Sequence, residues 1–229
     1  MSFEVKKFSS RDAAFDSLSH DVQRWLSAAV LTRNAASIAL SGGTTPGPLF
    51  ERLSTASLDW ARTMITLTDD RWVDADDPAS NERLVRATLM SGEASAATIV
   101  PLKAPGAAPA DGLAAVKAGL DAIAFPLDVV IMGMGTDGHC ASLFPESPDL
   151  QDGLTGAERC AAIRRDDGEL ARMSLTKSAL LDSRQIILLI FGDEKMAVLN
   201  AAAKGTSDKL PVSHFLCQDK VPLTVYWAA

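Results

Sequence analysis

Cysteine is scarce in this chain, and no two cysteines have the spacing of a metal-binding or redox pair. The three cysteines, Cys140, Cys160 and Cys217, lack a CxxC pattern, which argues against a disulfide framework or a zinc site and indicates a reducing cytosol. The N-terminal residues lack the basic-then-apolar pattern of a signal peptide. No apolar run approaches the roughly 18 residues that span a bilayer. We therefore expect a cytoplasmic protein without a membrane partner.

Positive charge is also in short supply. The chain has 22 lysines and arginines against 29 aspartates and glutamates, for a net charge of −7, which makes nucleic acid an unfavourable partner. An acidic protein that binds an anion must gather its cations locally, so single arginines and lysines near glycine-rich turns are of interest. The 229 residues contain no repeat, charge run or long linker. We therefore expect a single domain over residues 1–229.

Short apolar runs alternate with stretches of helical periodicity along the chain. Apolar residues at steps of three and four predict helices around residues 15–29, 80–89, 113–123 and 196–203. The predicted strands and extended segments cover residues 37–40, 64–68, 98–102, 128–132, 160–163, 172–176, 186–191 and 223–227. Near-continuous apolar strands that alternate with helices are typical of a parallel sheet covered on both faces. The sequence thus predicts an α/β fold, with polar loops meeting at the carboxyl ends of the strands.

One loop contains the glycine spacing of a dinucleotide-binding fingerprint, G-x-G-x-x-G, beginning at Gly133. That fingerprint needs a long helix after its third glycine and an acidic residue about 20 residues later. Pro145 and Pro148 follow closely and would end such a helix. The next predicted strand, at 160–163, is followed by two arginines rather than a carboxylate. We therefore predict that this loop does not bind a dinucleotide.

The same loop carries the most reactive side chains of the sequence, Asp137 and His139. An aspartate two residues from a histidine can orient and charge-tune the imidazole, which gives a general base near neutral pH. A metal site needs three ligands, and His20 and His214 have no acidic or cysteine partners arranged with His139, so no metal is predicted. The Gly-x-Ser-x-Gly motif of serine hydrolases is absent. In a hydrolase, water would therefore be the nucleophile.

An earlier loop places two glycines between hydroxyl residues: Ser41, Gly42, Gly43 and Thr44. Glycines let backbone amides approach an anion closely, and a helix that begins near Pro46 would add its positive end. The loop is not a Walker A motif, because no Lys-Ser/Thr pair follows the second glycine. It predicts a site for a monoester phosphate, with a plain strand-to-helix turn as the alternative.

Four motifs, in order along the chain, resemble those of the 6-phosphogluconolactonase family. They are SGGTTP from Ser41, DDRWV from Asp69, SNER from Ser80 and GMGTDGHCASLFP from Gly133. The family patterns are SGGxTP, DERxV, SN and GMGxDGHxASLFP, so that Asp70 stands where the family usually has glutamate. The ordered agreement runs from the strand before Ser41 to the C terminus.

The resemblance implies a Rossmann-like three-layer sandwich with a mainly parallel sheet, of the NagB/RpiA type, without a dinucleotide site. It implies hydrolysis of 6-phospho-D-glucono-1,5-lactone to 6-phospho-D-gluconate, in the oxidative pentose phosphate pathway, without a cofactor. His139 would be the base that activates water, Asp137 or Asp69 its support, and Arg71 or backbone amides of the glycine loops the donors to the oxyanion. The implied substrate contacts are Ser41, Gly42, Gly43, Thr44, Asn81, Arg172 and Lys195.

Two other functions stay open at this point. Glucosamine-6-phosphate deaminase belongs to the same superfamily, but its pattern has a glutamate five residues after the histidine, where this chain has Phe144. A sugar-phosphate sensor domain of a transcription regulator can share the fold, although the net charge and the lack of a helix-turn-helix segment disfavour DNA. We expect a small sugar-phosphate substrate and a monomer or weak homodimer.

Overall fold

The computed structural model describes residues 3–166 and 168–229, and ten strands and eight α-helices lie within these ranges. The strands are β1 (Phe3–Phe8), β2 (Ala36–Leu40), β3 (Thr63–Leu67), β4 (Asp69–Arg71), β5 (Thr98–Ile99), β6 (Val129–Met132), β7 (Cys160–Ile163), β8 (Arg172–Leu175), β9 (Ile186–Phe191) and β10 (Leu223–Ala228). The helices are α1 (Arg11–Arg33), α2 (Gly47–Ser54), α3 (Asn81–Thr88), α4 (Pro109–Leu120), α5 (Leu150–Thr155), α6 (Lys177–Leu181), α7 (Asp193–Ala202) and α8 (Ser213–Leu216). None of these helices has the length and apolar character needed to cross a membrane.

Seven strands form one sheet in the order β1-β10-β9-β6-β2-β3-β5, and every pairing in it is parallel. Strands β2 and β6 are buried at each of their residues, as expected for strands that are covered on both faces. Helix α1 packs across β1, β2, β6 and β10, while α7 contacts β9. The predicted α/β sandwich with a mainly parallel sheet is confirmed.

The order in which the chain adds strands to the sheet changes direction between β2 and its neighbour β6. From β2 the sheet continues through β3 to β5, and from β6 it continues the other way through β9 and β10. The loops after β2 and β6 therefore diverge and leave a crevice at the carboxyl ends of the strands. The two loops are linked where they leave their strands, because the amide and hydroxyl of Ser41 donate to the carbonyl of Ile131 at 3.0 and 2.9 Å. The amide of Gly133 in turn donates to the Ser41 hydroxyl at 3.1 Å.

Three strands form a separate antiparallel sheet in the order β4-β8-β7. Strands β7 and β8 are extended as predicted, but they do not join the parallel sheet, and β4 was not predicted as a strand. Only Thr68 separates β3 from β4. The chain therefore continues in an extended conformation from the parallel sheet into the antiparallel one. The carbonyl of Thr68 accepts from the amide of Leu175 at 2.8 Å. The resulting register pairs Arg71 with Arg172 across the two strands.

The first strand, β1, was also not predicted from the sequence. It lies at the edge of the parallel sheet, where it pairs with β10 alone. Its residues are half-buried or exposed throughout, and its sequence, FEVKKF, has neither a continuous apolar run nor a strict alternation. Edge strands with lysines are a common way to limit further strand pairing, and such strands give a weak sequence pattern.

Candidate active site

A cavity of about 390 Å³ opens at the carboxyl ends of the central strands. The loops after β2 and β6, residues of β4 and β8, and the first turn of α7 contribute to its lining. Most of the predicted site residues take part: Ser41, Gly42, Gly43, Thr44, Asp69, Arg71, Asn81, His139, Arg172 and Lys195. Asp137 is outside the lining, in contact with His139. The fold thus brings together side chains that are distant in the sequence.

His139 and Asp137 form a close pair on the loop after β6. The Nδ1 atom of His139 is 2.6 Å from Oδ1 of Asp137, and the His139 amide donates to the same oxygen at 3.1 Å. Partial burial acts to raise the pKa of Asp137, but the hydrogen bond and charge of His139 hold it below its ordinary value. Within the described residues, Nε2 of His139 has no protein partner. The aspartate can therefore orient the ring and leave Nε2 for a ligand or water.

Glycines give this loop its shape. The amide of Gly135 donates to the His139 carbonyl at 2.9 Å, and that of Gly138 donates to the Gly135 carbonyl at 3.1 Å. A Cβ on Gly135 would lie 2.3 Å from His139 Nδ1 and Cε1 and 2.4 Å from Asp137 Oδ1, and Gly138 has a φ of +79°. No helix starts between residues 139 and 149, as a dinucleotide site would require. The glycines instead make room for the Asp137–His139 pair.

Among the described contacts, Asp69 has hydrogen-bond partners other than His139, which favours Asp137 as the support of the imidazole. Oδ2 of Asp69 accepts a hydrogen bond from the hydroxyl of Ser142 at 2.5 Å, and its Oδ1 accepts one from Thr68 at 3.1 Å. Pairing of β4 with β8 sets Asp69 opposite Ser174, whose hydroxyl also accepts from the Ser142 amide at 3.2 Å. The sequence analysis did not single out Ser142, and the hydrogen bond by which it holds this carboxylate joins segments that are distant in the chain.

Asn81 links three parts of the site. Its Oδ1 accepts from Nη1 of Arg71 at 2.5 Å, and its Nδ2 donates to the carbonyl of Asp69 at 2.8 Å. A Cβ at Gly42 would lie 1.9 Å from the same Oδ1, so the glycine loop approaches Asn81 as closely as a glycine allows. Both ends of the amide are occupied within the protein. Asn81 was predicted as a substrate contact, and this geometry favours a role in positioning Arg71.

Asp70, the position that departs from the family pattern, faces away from the cavity. Its carboxylate accepts from the amides of Arg71, Asn81 and Glu82 at 2.8, 2.7 and 3.0 Å and from the Ser80 hydroxyl at 3.1 Å. Burial raises the pKa of Asp70, while the amide hydrogen bonds favour its charged form. The side chain therefore caps the start of α3. The departure from glutamate affects a structural carboxylate that is not part of the cavity lining.

The loop after β2 offers backbone amides to the cavity. Across the part of the chain that the structure describes, the amides of Gly42, Gly43 and Thr44 donate to no protein acceptor. Gly43 has a φ of +92°, a conformation that side chains rarely adopt. Helix α2 begins directly after Pro46, and no side chain caps it. This loop and helix end can therefore accept an anion. The hydroxyl of Ser41, by contrast, is committed to Ile131.

Cations dominate the charged lining. Among the lining residues that the structure describes, Arg71, Arg165, Arg172 and Lys195 are accompanied by one carboxylate, that of Asp69. Arg172 lies opposite Arg71 in the strand pair, an arrangement of like charges that is normally unfavourable. Burial, with the charges of Arg71 and Arg165, lowers the pKa of Arg172. In a protein with a net charge of −7, such a local excess of positive charge favours an anionic ligand.

Lys195 reaches the cavity from the first turn of α7. It is half-buried, and burial lowers the pKa of its ammonium group. Within the described residues it forms no hydrogen bond or ion pair with another side chain. A half-buried cation without a protein partner is stabilised by an anion bound in the cavity.

The other two histidines lie apart from this cavity. His214 places Nε2 at 2.8 Å from Oδ1 of Asp208, and His20 is on the exposed face of α1. Among the residues with described positions, no three histidine, cysteine or acidic side chains gather as a metal site would need. That the protein uses neither metal nor cofactor stays a prediction.

Comparison with known proteins agrees with the geometry of the site. Residues 9–227 match the family described as glucosamine-6-phosphate isomerases/6-phosphogluconolactonase. The chain is 38% identical to a 6-phosphogluconolactonase of Rhizobium meliloti, with 100% of both chains covered. It is 37% identical to one of Caulobacter vibrioides, with 98% of this chain and 97% of the relative covered. The crystal structure of a 6-phosphogluconolactonase from Shewanella baltica has a TM-score of 0.96 at 39% identity, with 99% and 98% covered.

Proposed function

Because the chain belongs to the glucosamine-6-phosphate isomerase/6-phosphogluconolactonase family, we propose that it hydrolyses 6-phospho-D-glucono-1,5-lactone to 6-phospho-D-gluconate. The observation that carries this choice within the family is the side chain beside the base. The Phe144 ring centroid is 4.5 Å from that of His139, whereas the deaminase pattern has a glutamate at this position. The curated relatives at 37% and 38% identity are also 6-phosphogluconolactonases. Hydrolysis needs only a base and water, which an apolar neighbour does not impede.

The substrate phosphate binds at the loop after β2, with Arg172 and Lys195. The free amides of this loop and the uncapped start of α2 support the assignment, since both favour a bound anion. The guanidinium of Arg172 can donate to two phosphate oxygens, and Lys195 supplies a point charge. Anchoring the phosphate holds the lactone carbonyl near His139, which makes the attack effectively intramolecular.

His139 acts as the general base through Nε2. It takes a proton from a water molecule whose oxygen attacks the lactone carbonyl carbon. When the tetrahedral intermediate collapses, the bond to the ring oxygen breaks and His139 returns the proton to that oxygen. Asp137 keeps Nδ1 protonated and stabilises the imidazolium that forms in between. The 2.6 Å contact between Asp137 and His139 supports this division of roles.

Arg71 donates to the oxyanion of the tetrahedral intermediate. Its guanidinium is held by Asn81 and lines the cavity beside Arg172. The amides of Gly133, Gly135 and Gly138 all donate to protein acceptors, which favours the side chain of Arg71 over these glycine amides as the donor. Preorganised donors of this kind contribute most when charge develops in the transition state.

A coupled assay tests the reaction. Glucose 6-phosphate is oxidised in place to generate fresh lactone, and formation of 6-phosphogluconate is followed against the spontaneous rate. We expect the purified chain to accelerate hydrolysis in proportion to its concentration. A rate equal to the spontaneous one would contradict the proposal. Ammonia release from glucosamine 6-phosphate, measured in parallel, would instead support the deaminase activity.

Replacing Arg172 with alanine should weaken substrate binding more than it slows the chemistry. A hydrogen bond to a charged group contributes about 1.5–3 kcal/mol, so KM should rise at least about tenfold. The kcat should change little, because Arg172 does not take part in proton transfer. Steady-state kinetics with the Arg24→Ala variant, an exposed arginine on α1, provides the control. An unchanged KM would remove Arg172 from the phosphate site.

A further inference from the structure

We propose that Ser142 is a positioning residue, whose hydroxyl holds the Asp69 carboxylate so that this carboxylate accepts a hydrogen bond from the C2 hydroxyl of the lactone. The inference rests on the proposed function for the identity of the substrate. Asp69 lines the cavity. Ser142 is fully buried and is not among the lining residues, so it acts on the substrate only through Asp69.

A tight turn connects His139, the proposed base, to Ser142. The amide of Leu143 donates to the carbonyl of Cys140 at 3.1 Å, which closes the turn directly after His139. Within the turn, Ala141 has a φ of +49°, a left-handed conformation that residues other than glycine seldom adopt. Such conformations persist only where the surrounding contacts enforce them. The turn leaves His139 in the cavity lining and directs Ser142 into the interior of the protein.

Ser142 is anchored through both its amide and its hydroxyl. The amide donates to the hydroxyl oxygen of Ser174 at 3.2 Å, and Ser174 lies opposite Asp69 in the pairing of β8 with β4. The hydroxyl donates to Oδ2 of Asp69 at 2.5 Å, a length typical of a hydrogen bond between a hydroxyl and a carboxylate. Together the two contacts join the loop after β6 to β4 and β8, and they fix the orientation of the carboxylate.

The other oxygen of Asp69 has a donor that is shared. The hydroxyl of Thr68 is 3.1 Å from Oδ1 of Asp69 and 3.2 Å from the hydroxyl oxygen of Ser41. The Ser41 hydroxyl gives its own proton to the carbonyl of Ile131 at 2.9 Å, so it accepts from Thr68. A threonine hydroxyl has a single proton, which Asp69 and Ser41 must share. Ser142 is therefore the donor that is committed to the carboxylate.

Asp69 has hydrogen-bonding capacity left for a ligand. An ionised carboxylate accepts about four hydrogen bonds, and the described side-chain donors to Asp69 are the hydroxyls of Ser142 and Thr68. Asp69 is only 7% exposed, so a further donor replaces water that the carboxylate has lost. Alternation along β4 sets Asp69 and Arg71 on the face of the strand that lines the cavity. A ligand in the cavity can supply that donor.

Charge and position indicate which part of the substrate Asp69 contacts. Its negative charge repels the phosphate, which we assign to the loop after β2 with Arg172 and Lys195. A carboxylate instead accepts from the neutral hydroxyls of the lactone ring. Asp69 is also close to the loop that carries His139, since burial raises the pKa of the adjacent Cys140 thiol and the charge of Asp69 adds to the rise. The hydroxyl next to the reacting carbonyl, at C2, is therefore the expected partner.

Kinetics with two substrates test the proposal. Fresh 6-phosphogluconolactone and its 2-deoxy analogue are generated in place from glucose 6-phosphate and 2-deoxyglucose 6-phosphate, and each rate is compared with the spontaneous one. We expect Ser142→Ala to lower kcat/KM for 6-phosphogluconolactone by about tenfold, as for one hydrogen bond to a charged group. The same variant should leave kcat/KM for the 2-deoxy analogue unchanged, because that substrate has no C2 hydroxyl for Asp69 to accept.

A second variant, Asp69→Asn, tests whether Ser142 acts through the carboxylate. We expect Asp69→Asn to lower kcat/KM for 6-phosphogluconolactone by at least about tenfold. Ser142→Ala should cause no further loss in that background, because residues that act together are not additive. Ser183→Ala is the matched control: Ser183 is buried, its hydroxyl donates to the Leu180 carbonyl at 2.8 Å, and it is not among the lining residues. Its kinetics should equal those of the wild type, with thermal unfolding to show that each variant is folded.

Several results would overturn the proposal. Unchanged kcat/KM for 6-phosphogluconolactone in Ser142→Ala would show that the hydroxyl is not needed, and equal losses on both lactones would leave Ser142 a purely structural role. Additive losses in the double variant would show that Ser142 does not act through Asp69. A comparison that needs no variant is the wild-type protein itself. If it accelerates both lactones equally over their spontaneous rates, the C2 hydroxyl is not recognised.

Failure of the proposed function is distinguishable from failure of this inference. If the wild-type protein accelerates neither reaction, it is not a lactonase. Calorimetric binding of 6-phosphogluconate and of its 2-deoxy analogue then decides the role of Asp69. About tenfold tighter binding of 6-phosphogluconate, lost in Ser142→Ala, would support the inference. Equal affinities, or no binding of either compound, would overturn it.

Discussion

The His139→Ala variant is expected to lower kcat for lactone hydrolysis by about 10² to 10⁴, the usual contribution of general acid–base catalysis. Without the imidazole, the remaining proton acceptor on this loop is the carboxylate of Asp137, which contacts the far nitrogen of the ring, Nδ1, and is not among the residues that line the cavity. The KM should stay close to the wild-type value, since the phosphate contacts lie on other loops. The effect is therefore on the chemical step rather than on binding.

The measurement is steady-state kinetics on freshly generated lactone, with thermal unfolding to show that the variant is folded. His214→Ala is the matched control, because His214 forms a similar pair, 2.8 Å from Asp208, and is not among the residues that line the cavity. Its kcat should equal that of the wild type. If His139→Ala retains a near-normal kcat, His139 is not the base.

The second large effect on kcat is expected when a single methyl group is added to the loop after β6, in the Gly135→Ala variant. In Gly135→Ala the new Cβ would lie 2.3 Å from His139 Nδ1 and 2.4 Å from Asp137 Oδ1, a separation that real Cβ atoms do not adopt. The imidazole and carboxylate must move apart, and a displacement of about 1 Å at a catalytic group can reduce the rate by about 10². We expect kcat to fall by at least that factor, although no chemical group is removed.

The control for this variant is Gly205→Ala, where a Cβ would meet nothing within 4 Å and the position is outside the cavity. It should show wild-type kinetics. Thermal unfolding separates a displaced catalytic pair from a misfolded protein, because a folded Gly135→Ala variant should still bind 6-phosphogluconate through the loop after β2. Wild-type kcat in Gly135→Ala would show that the Asp137–His139 contact is not needed for catalysis.

The features that the sequence predicted correctly are those that depend on neighbouring residues. The long first helix follows from apolar residues at helical spacing, and its cap is Ser10, whose hydroxyl accepts from the Ala13 amide. The contact between Asp137 and His139 spans two residues, so the loop sequence alone was enough to predict it. The glycines and hydroxyls of the loop after β2 are also contiguous in the sequence, so its open turn could be predicted, while phosphate binding by this loop stays a prediction. Edge strand β1 was missed because a half-buried strand has no strong periodicity.

The sequence could not show those contacts of the site residues that join distant segments of the chain. The hydroxyl that donates to Asp69 belongs to Ser142, 73 residues away in the chain. Asp70 was recognised only as a departure from the family pattern, because its amide partners at the start of α3 lie 11 and 12 residues further on. No local pattern distinguishes a carboxylate that faces a cavity from one that caps a helix behind it.

Periodicity and motif order were therefore sufficient for the α/β class, the parallel sheet and the two glycine-rich loops after β2 and β6, because each of these arises from residues close together in the chain. The antiparallel register of β4, β7 and β8 could not be read in this way. That register sets Arg71 opposite Arg172 and brings Arg165 onto Phe144. It depends on packing between segments that are distant in the sequence, so the cluster of arginines at the cavity appears only when the chain is folded.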